Sequence, residues 1–272
     1  MRILWIVLIL FLSFVTLSPA AAEESGYCRF KGVLAFKDGR PVAHGTLYLY
    51  DRSVGPPPFI ERYWRVPDQV SELDENGQFD LELSPGTYYI TYIKRADQHI
   101  VGPPKPGDII LLNLDLKGQP VAYSLKAGQN LSVGKLAEAV VFDPAMARTS
   151  GKDITAIAGR IVGEDDKPIV GAAVFAFTSP TTVRRPLFTS EFSDSNGNFL
   201  LRVHEGGTYY LKVRGKHGGG QPSQDSVLDG ERDEKLIAVT VKTGEITKGV
   251  MHKALTLRGP KSKHKFPDMK QK

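Results

Sequence analysis

The chain has 272 residues and a formal net charge of +5 at pH 7, from 35 Lys and Arg against 30 Asp and Glu. Hydrophobic residues make up 41% of the chain, which excludes a wholly disordered protein. A single Cys excludes an internal disulfide framework. The charge imbalance is small and no nucleic-acid-binding motif accompanies it, so no nucleic-acid partner is expected.

The N-terminus has the pattern of a secretion signal. Arg2 precedes an uncharged apolar run from Ile3 to Leu17, and small residues follow at Ala20 and Ala22. The run is shorter than the roughly 20 apolar residues that a membrane-spanning helix needs. We therefore expect cleavage after Ala22, export across the inner membrane, and no transmembrane anchor in the mature chain. A periplasmic, extracellular or cell-surface location follows from export.

The rest of the chain contains the same pattern twice. FKGVLAFKDGRPVAHGTLYLY at 30–50 aligns with IAGRIVGEDDKPIVGAAVFAF at 157–177. A Gly-Thr-Tyr-Tyr segment follows at 86–89 in one copy and at 207–210 in the other. An internal repeat of this length indicates two whole domains.

These observations divide the chain into four parts. We expect a signal peptide at 1–22, a first β-sandwich repeat at 23–147, a second at 153–258, and a basic disordered tail at 259–272. Polar turn residues between the two repeats mark the boundary.

Each repeat is predicted to be all-β. Apolar and polar residues alternate at 79–83 and again at 209–213, and turn signals such as Asn-Gly separate the runs. No long segment has helical spacing. Short strands with one buried face each are typical of two packed antiparallel sheets, so we expect two tandem β-sandwiches.

The repeated segments DENG and DSNG resemble the start of a calcium-binding loop. Such a loop needs Gly at position 6 and Glu at position 12. Counted from Asp74, position 12 is Pro85, and counted from Asp194, position 6 is Phe199. We interpret both segments as hairpin turns whose glycine has a positive φ. No metal and no cofactor are expected.

One region with candidate contact residues is VGPPPFIERYWRVPD at 54–68. It contains Trp64, flanked by Tyr63 and Arg65. An aromatic ring beside Arg can stack on a sugar or pack against a partner protein. A strand residue that faces the core accounts for Trp64 as well, and both interpretations stay open.

The second region is a pair of loops at 93–108 and 213–226, which follow the Tyr-Tyr strands. The candidate contact residues are Arg95, His99 and Asp108 in the first loop, and Arg214, His217 and Asp225 in the second. Loops at one end of a sandwich often hold binding groups, but Gly- and Pro-rich connections are also tolerated there without a function. Convergence of the first three residues in one pocket would favour an enzyme.

The shared residues resemble the carboxypeptidase regulatory-like domain, which is related in fold to transthyretin and to the B-type repeats of bacterial adhesins. The resemblance rests on Gly32, Pro41, Asp74, Asn76, Gly77, Phe79, Gly86 and Tyr88, and on Gly159, Pro168, Asp194, Asn196, Gly197, Phe199, Gly207 and Tyr209. It implies a tandem of such domains in a secreted bacterial protein. It implies little about activity, because the matching residues are turn and core positions.

We therefore expect a non-enzymatic envelope or extracellular module that binds partners or supports a larger surface assembly. Its partner would be a protein or a glycan of the cell envelope. Two alternatives stay open: a carbohydrate-binding protein, and an enzyme with a site in the loops at the end of a sandwich. The six His residues have none of the spacings that are typical of zinc sites.

The signal-peptide interpretation predicts that the exported protein begins at Glu23, directly after the small residues that the peptidase requires. Intact-mass spectrometry of the exported protein measures this directly. A retained apolar segment would mean that the N-terminus acts as an anchor instead.

Overall fold

A computed structural model describes residues 26–97, 102–147, 154–215, 227–229 and 236–256. Within these ranges the chain forms β-strands and one short 3-10 turn, and no helix is long and apolar enough to cross a membrane. The first strands are β1 Cys28–Phe36, β2 Thr46–Asp51, β3 Gln69–Glu72, β4 Gln78–Leu83, β5 Gly86–Lys94, β6 Ile109–Leu111, β7 Ala122–Leu125 and β8 Asn130–Val141, followed by the 3-10 turn Pro144–Ala147. The later strands are β9 Thr155–Val162, β10 Ala172–Phe177, β11 Phe188–Thr189, β12 Asn198–Val203, β13 Gly207–Gly215, β14 Val227–Asp229, β15 Ile237–Val241 and β16 Ile246–Thr256. The prediction of an all-β fold is confirmed.

The strands form two units with the same topology. The first has the order β3-β2-β5-β6-β8-β1-β4 with β7 beside β5, and the second has the order β11-β10-β13-β14-β16-β9-β12 with β15 beside β13. Each strand of the first unit therefore has a counterpart eight strands later. The repeat in the sequence is a repeat of complete β units, as predicted.

The last strand of each unit belongs to both of its sheets. In the first unit β8 pairs in parallel with β1 as far as Ala139, and then antiparallel with β6 through Val140 and Val141. In the second unit β16 pairs in parallel with β9 and antiparallel with β14. The sheets are antiparallel as predicted apart from this one parallel pairing in each unit, which arises because the last strand enters beside the first strand from the same end.

Both faces of the central strands are buried. Tyr88 and Tyr92 of β5 lie in the core between the two sheets of the first unit, whereas Tyr89 lies in a second apolar cluster on the outer face. Ile60 and Phe142, which belong to loops, cover that outer cluster. The expectation of one buried face per strand is wrong here, because loop residues cover the face that would otherwise meet water.

The two Asp-x-Asn-Gly segments are hairpin turns. The Asp74 carboxylate accepts hydrogen bonds from the main-chain N–H groups of Asn76 and Gln78 at 2.9 and 2.7 Å. Asp194 forms the equivalent pair at 2.9 and 2.8 Å. The turn glycines have φ of 70° and 77°. Each carboxylate thus stabilises its own turn, and the described residues contain no group of three His, Cys, Asp or Glu that could hold a metal ion.

The turn geometry can be tested by comparing substitutions at Gly197 and at Gly171, a matched position in the same unit. A Cβ on Gly197 would lie 2.4 Å from the carbonyl oxygen of Ile161, whereas a Cβ on Gly171, at a similar φ of 75°, would meet nothing within 4 Å. We expect Gly171→Ala to cost about 1–2 kcal/mol through backbone strain. Gly197→Ala should cost roughly 2–4 kcal/mol, because the clash adds to the strain. Urea unfolding of both variants measures the difference, and equal losses would contradict the predicted close approach.

Candidate functional site

The two units are joined by the residues between β2 and β3 of the first unit, which we call the junction segment (residues 54–68). Its main chain reaches the edge strand β11 of the second unit. The N–H of Val66 donates to the carbonyl oxygen of Leu187 at 2.9 Å, and the N–H of Thr189 donates to the carbonyl oxygen of Trp64 at 3.1 Å. Arg65 and Phe188 lie directly opposite each other in this antiparallel contact. The first unit therefore adds a short strand to a sheet of the second.

Tyr63 of the junction segment lies in the core of the second unit. Its side chain is 3% exposed and packs edge-on against the rings of Phe188 and His204, with centroid distances of 5.3 and 5.2 Å. The hydroxyl donates to the carbonyl oxygen of Pro57 at 2.8 Å. Burial raises the pKa of Tyr63 well above its usual range. The predicted contact residue is therefore part of an internal interface between the units.

Arg65 holds the shape of the junction segment. Its guanidinium is buried and donates to the carbonyl oxygens of Gly55, Pro56 and Asp51 at 3.2, 2.5 and 2.8 Å. It also forms an ion pair of 2.6 Å with Asp68. A buried charge is tolerated only when such partners compensate its lost hydration. The Arg65 side chain is thus directed at its own loop and away from solvent.

Trp64 points to the opposite side of the junction and forms one wall of a cleft between the units. The cleft has a volume of about 450 Å³. The first unit contributes Ile60, Trp64, Pro103, Pro104, Lys105, Pro106, Phe142 and Pro144, and the second contributes Thr189, Glu191, Phe192, Leu200 and Arg202. This size is in the range of ligand-binding pockets in proteins.

The charged groups of the cleft lie close to partners. The Nζ of Lys105 is 4.6 Å from the ring centroid of Phe192, and an Arg202 guanidinium nitrogen is 3.2 Å from a carboxylate oxygen of Glu191. The hydroxyl of Thr189 is turned to the main-chain oxygen of Ser190 at 3.4 Å. Aromatic, aliphatic and proline side chains form the remaining surface. This arrangement suits the burial of an apolar group with polar contacts at the rim.

The first candidate loop, residues 93–108, supports one wall of the cleft. Asp108 is fully buried and accepts hydrogen bonds from the N–H groups of Ala96 and Lys105 at 2.8 and 2.9 Å. Arg95 forms an ion pair with Asp108 at 3.1 Å and donates to the carbonyl oxygen of Pro103 at 3.0 Å. The structure thus brings Arg95 and Asp108 together inside the loop, where they fix the proline-rich turn that faces Trp64.

Of the remaining candidate residues, the structure describes Arg214 alone, which does not line the cleft. Arg214 lies in β13, half-buried, with its main chain opposite Ala173 and Leu228. His99, His217 and Asp225 lie outside the described residues. Of the three residues whose convergence would favour an enzyme, Arg95 and Asp108 thus lie together, and His99 is not described.

Sequence reasoning missed the part of the cleft that the second unit contributes. Alignment of the two repeats places Phe192 and Leu200 where the first copy has Glu72 and Asp80. An apolar residue in place of a charged one on the solvent side of a strand is a signal of a contact surface. This difference between the two copies is the sequence signal that indicates the contact surface.

Comparison with known proteins shows remote similarity only. No protein-family profile and no curated protein matches the chain. A streptococcal ancillary pilin has 14% sequence identity and a TM-score of 0.26, covering 85% of this chain and 63% of its own. The Bacillus anthracis TIE protein has 12% identity and a TM-score of 0.26, over 84% and 34% of the two chains. The minor pilin GBS52 of Streptococcus agalactiae has 16% identity and a TM-score of 0.26, over 88% and 100%. This chain thus spans less than two thirds of the first two structures, and scores this low assign neither family nor function.

The position of Tyr63 predicts coupling between the units. Tyr63→Ala should destabilise the second unit by about 3–5 kcal/mol, because it removes a buried ring from that core. Tyr88→Ala is the matched control, because the Tyr88 hydroxyl donates to Ser84 within the first unit and its ring lies in the core of that unit. Hydrogen exchange followed by mass spectrometry should show faster exchange in β10 and β13 for Tyr63→Ala. Faster exchange confined to the first unit would contradict the assignment.

Proposed function

We propose that the chain is a non-enzymatic extracellular or cell-surface module, in which two carboxypeptidase regulatory-like β-sandwiches form one rigid unit within a surface assembly. The observation that carries this proposal is the junction: main-chain pairing of Trp64 and Val66 with β11, together with insertion of Tyr63 into the second core. The expected secretion signal supports the location.

The nature of the junction supports rigidity. Domains within a chain move relative to each other by default unless their interface is large and hydrophobic. Here a buried aromatic ring and two main-chain hydrogen bonds fix the contact, and the buried Arg65 fixes the segment that provides them. A fixed orientation is what a structural or partner-presenting module requires.

The chemistry of the cleft supports binding over catalysis. An enzyme site needs an acid, a base or a nucleophile directed at one point. Among the described lining residues, Glu191 is paired with Arg202, and the Thr189 hydroxyl donates to the main-chain oxygen of Ser190. Aromatic and proline side chains are frequent in sites that recognise other macromolecules. We therefore propose a protein or glycan of the cell envelope as the partner.

Distance measurements between spin labels test the rigid-unit proposal. Lys37→Cys and Glu164→Cys place labels on exposed turns of the two units, and Cys28 is buried with a raised thiol pKa, which protects it from labelling. We expect one narrow distance distribution for the tandem. Val66→Pro removes the N–H that donates to Leu187 and should broaden the distribution.

The control for this experiment is Val54→Pro, at an exposed position of the same segment that precedes the paired residues. It should leave the distribution narrow. A broad distribution in the unaltered tandem would refute the proposed rigid unit. Fractionation of native cells checks the location, and a cytoplasmic protein would contradict it.

A further inference from the structure

The strand β12 has an outer edge that faces away from its sheet. It is last in the strand order and pairs with β9 alone. The carbonyl oxygen of Gly197 accepts a hydrogen bond from the N–H of Ile161 at 2.8 Å. Because directly opposite residues in antiparallel strands alternate between bonded and non-bonded pairs, Phe199 and Leu201 direct their main-chain groups to β9. Leu200 therefore directs its N–H and C=O outward.

The outward main-chain groups of Leu200 are available for pairing. Within the described residues neither its N–H nor its C=O forms a hydrogen bond. The neighbouring outward position, Asn198, is different, because its N–H and C=O both bond to Asp194 in the hairpin turn. One donor and one acceptor at Leu200 thus lie at a strand edge beside the cleft.

The equivalent edge of the first unit is protected by charge. There the outward positions of β4 are Asp80 and Glu82, and Asp80 forms an ion pair of 2.6 Å with Arg29. Charged side chains on an edge strand oppose pairing with another chain. At the position of Asp80 the second unit has Leu200, which is 38% exposed. At this position the edge of β12 lacks the charge that protects its counterpart, whereas the next outward residue, Arg202, is charged and forms an ion pair of 3.2 Å with Glu191.

The cleft lies next to this edge and provides places for side chains. Leu200 is one of its lining residues, together with Trp64 of the first unit and Phe192 of the second. Within the described residues the indole N–H of Trp64 donates no hydrogen bond. It is therefore free to donate to a carbonyl oxygen of a bound chain.

We propose that the edge of β12 and the adjoining cleft bind an extended peptide segment of another protein. The main chain of the peptide pairs with Leu200, and alternate apolar side chains enter the cleft between Trp64 and Phe192. Addition of a strand to an exposed edge gives affinity through main-chain hydrogen bonds, and the cleft gives selectivity for the side chains. This inference rests on the proposed function as a partner-binding module and names the chemistry of the partner.

The test begins with a random twelve-residue peptide display library, selected on the intact tandem. We expect enriched peptides with apolar residues at alternate positions. Leu200→Lys should weaken the binding of such a peptide at least tenfold in calorimetry, because it places a charge on the edge. The matched control, Asp80→Lys on the equivalent edge of the first unit, should change the affinity less than twofold.

A second measurement uses the unaltered protein, and does not depend on the folding of a variant. Single N-methyl groups are placed along the selected peptide. In a paired strand only alternate N–H groups point to the edge. N-methylation should therefore abolish binding at the peptide residue whose N–H donates to the carbonyl oxygen of Leu200, and be tolerated at the residues directly before and after it. Uniform tolerance, or uniform loss, would overturn strand addition.

Two other outcomes would also overturn the inference. One is the absence of any enriched peptide. The other is a glycan array with hits that Trp64→Ala removes, because a sugar would stack on the ring without using the main chain of Leu200. Either outcome together with a narrow distance distribution would leave the proposed rigid module intact, whereas a broad distribution would refute that module independently.

Discussion

The arrangement of the two units depends on one side of the second sandwich, the side between β11 and β12. These strands end the strand order of the unit, so their edges and the core between them lack cover from the unit's own strands in the described part of the chain. The first unit supplies contacts to the edge at β11 and to this core. Trp64 pairs with Thr189 of β11, Val66 pairs with Leu187 directly before β11, and Tyr63 fills the space between the sheets. The stability of the second unit therefore depends on residues of the first.

The conformation of the junction segment depends in turn on a buried charge. The segment contains three consecutive prolines, which cannot donate main-chain hydrogen bonds. Arg65 compensates by donating to the carbonyl oxygens of Gly55 and Pro56 and to the carboxylate of Asp68. Removal of the guanidinium would take this donor away from the carbonyl oxygens of Gly55 and Pro56 in a half-buried segment, which is costly. A polar interaction within the first unit thus positions the apolar contact with the second.

The sequence predicts the repeated β fold and its turns, because alternation and Asn-Gly signals are local properties. It does not predict the location of Tyr63, since strand periodicity indicates which face a side chain occupies but not which unit it enters. The same limit applies to Trp64. Its sequence context is compatible with both ligand contact and core packing, and the structure places it half-buried between the units. Arg65 was also a candidate contact residue, but its side chain donates to nearby main-chain carbonyl oxygens. Such outcomes depend on long-range packing.

The two repeats share a topology but differ in the contacts that they can make with a neighbouring unit. Alignment on Pro67 and Pro186 places Thr182 where the first copy has Tyr63, so the second copy has no aromatic ring to insert. Val183 beside it is 91% exposed, in a segment that remains on the surface of its own unit. The first unit thus provides the inserting segment, with a charged edge on β4, and the second provides the accepting edge on β11. Because the ring that anchors the junction occurs once, the pairing is directional: the second unit cannot dock on a further unit by the same contact.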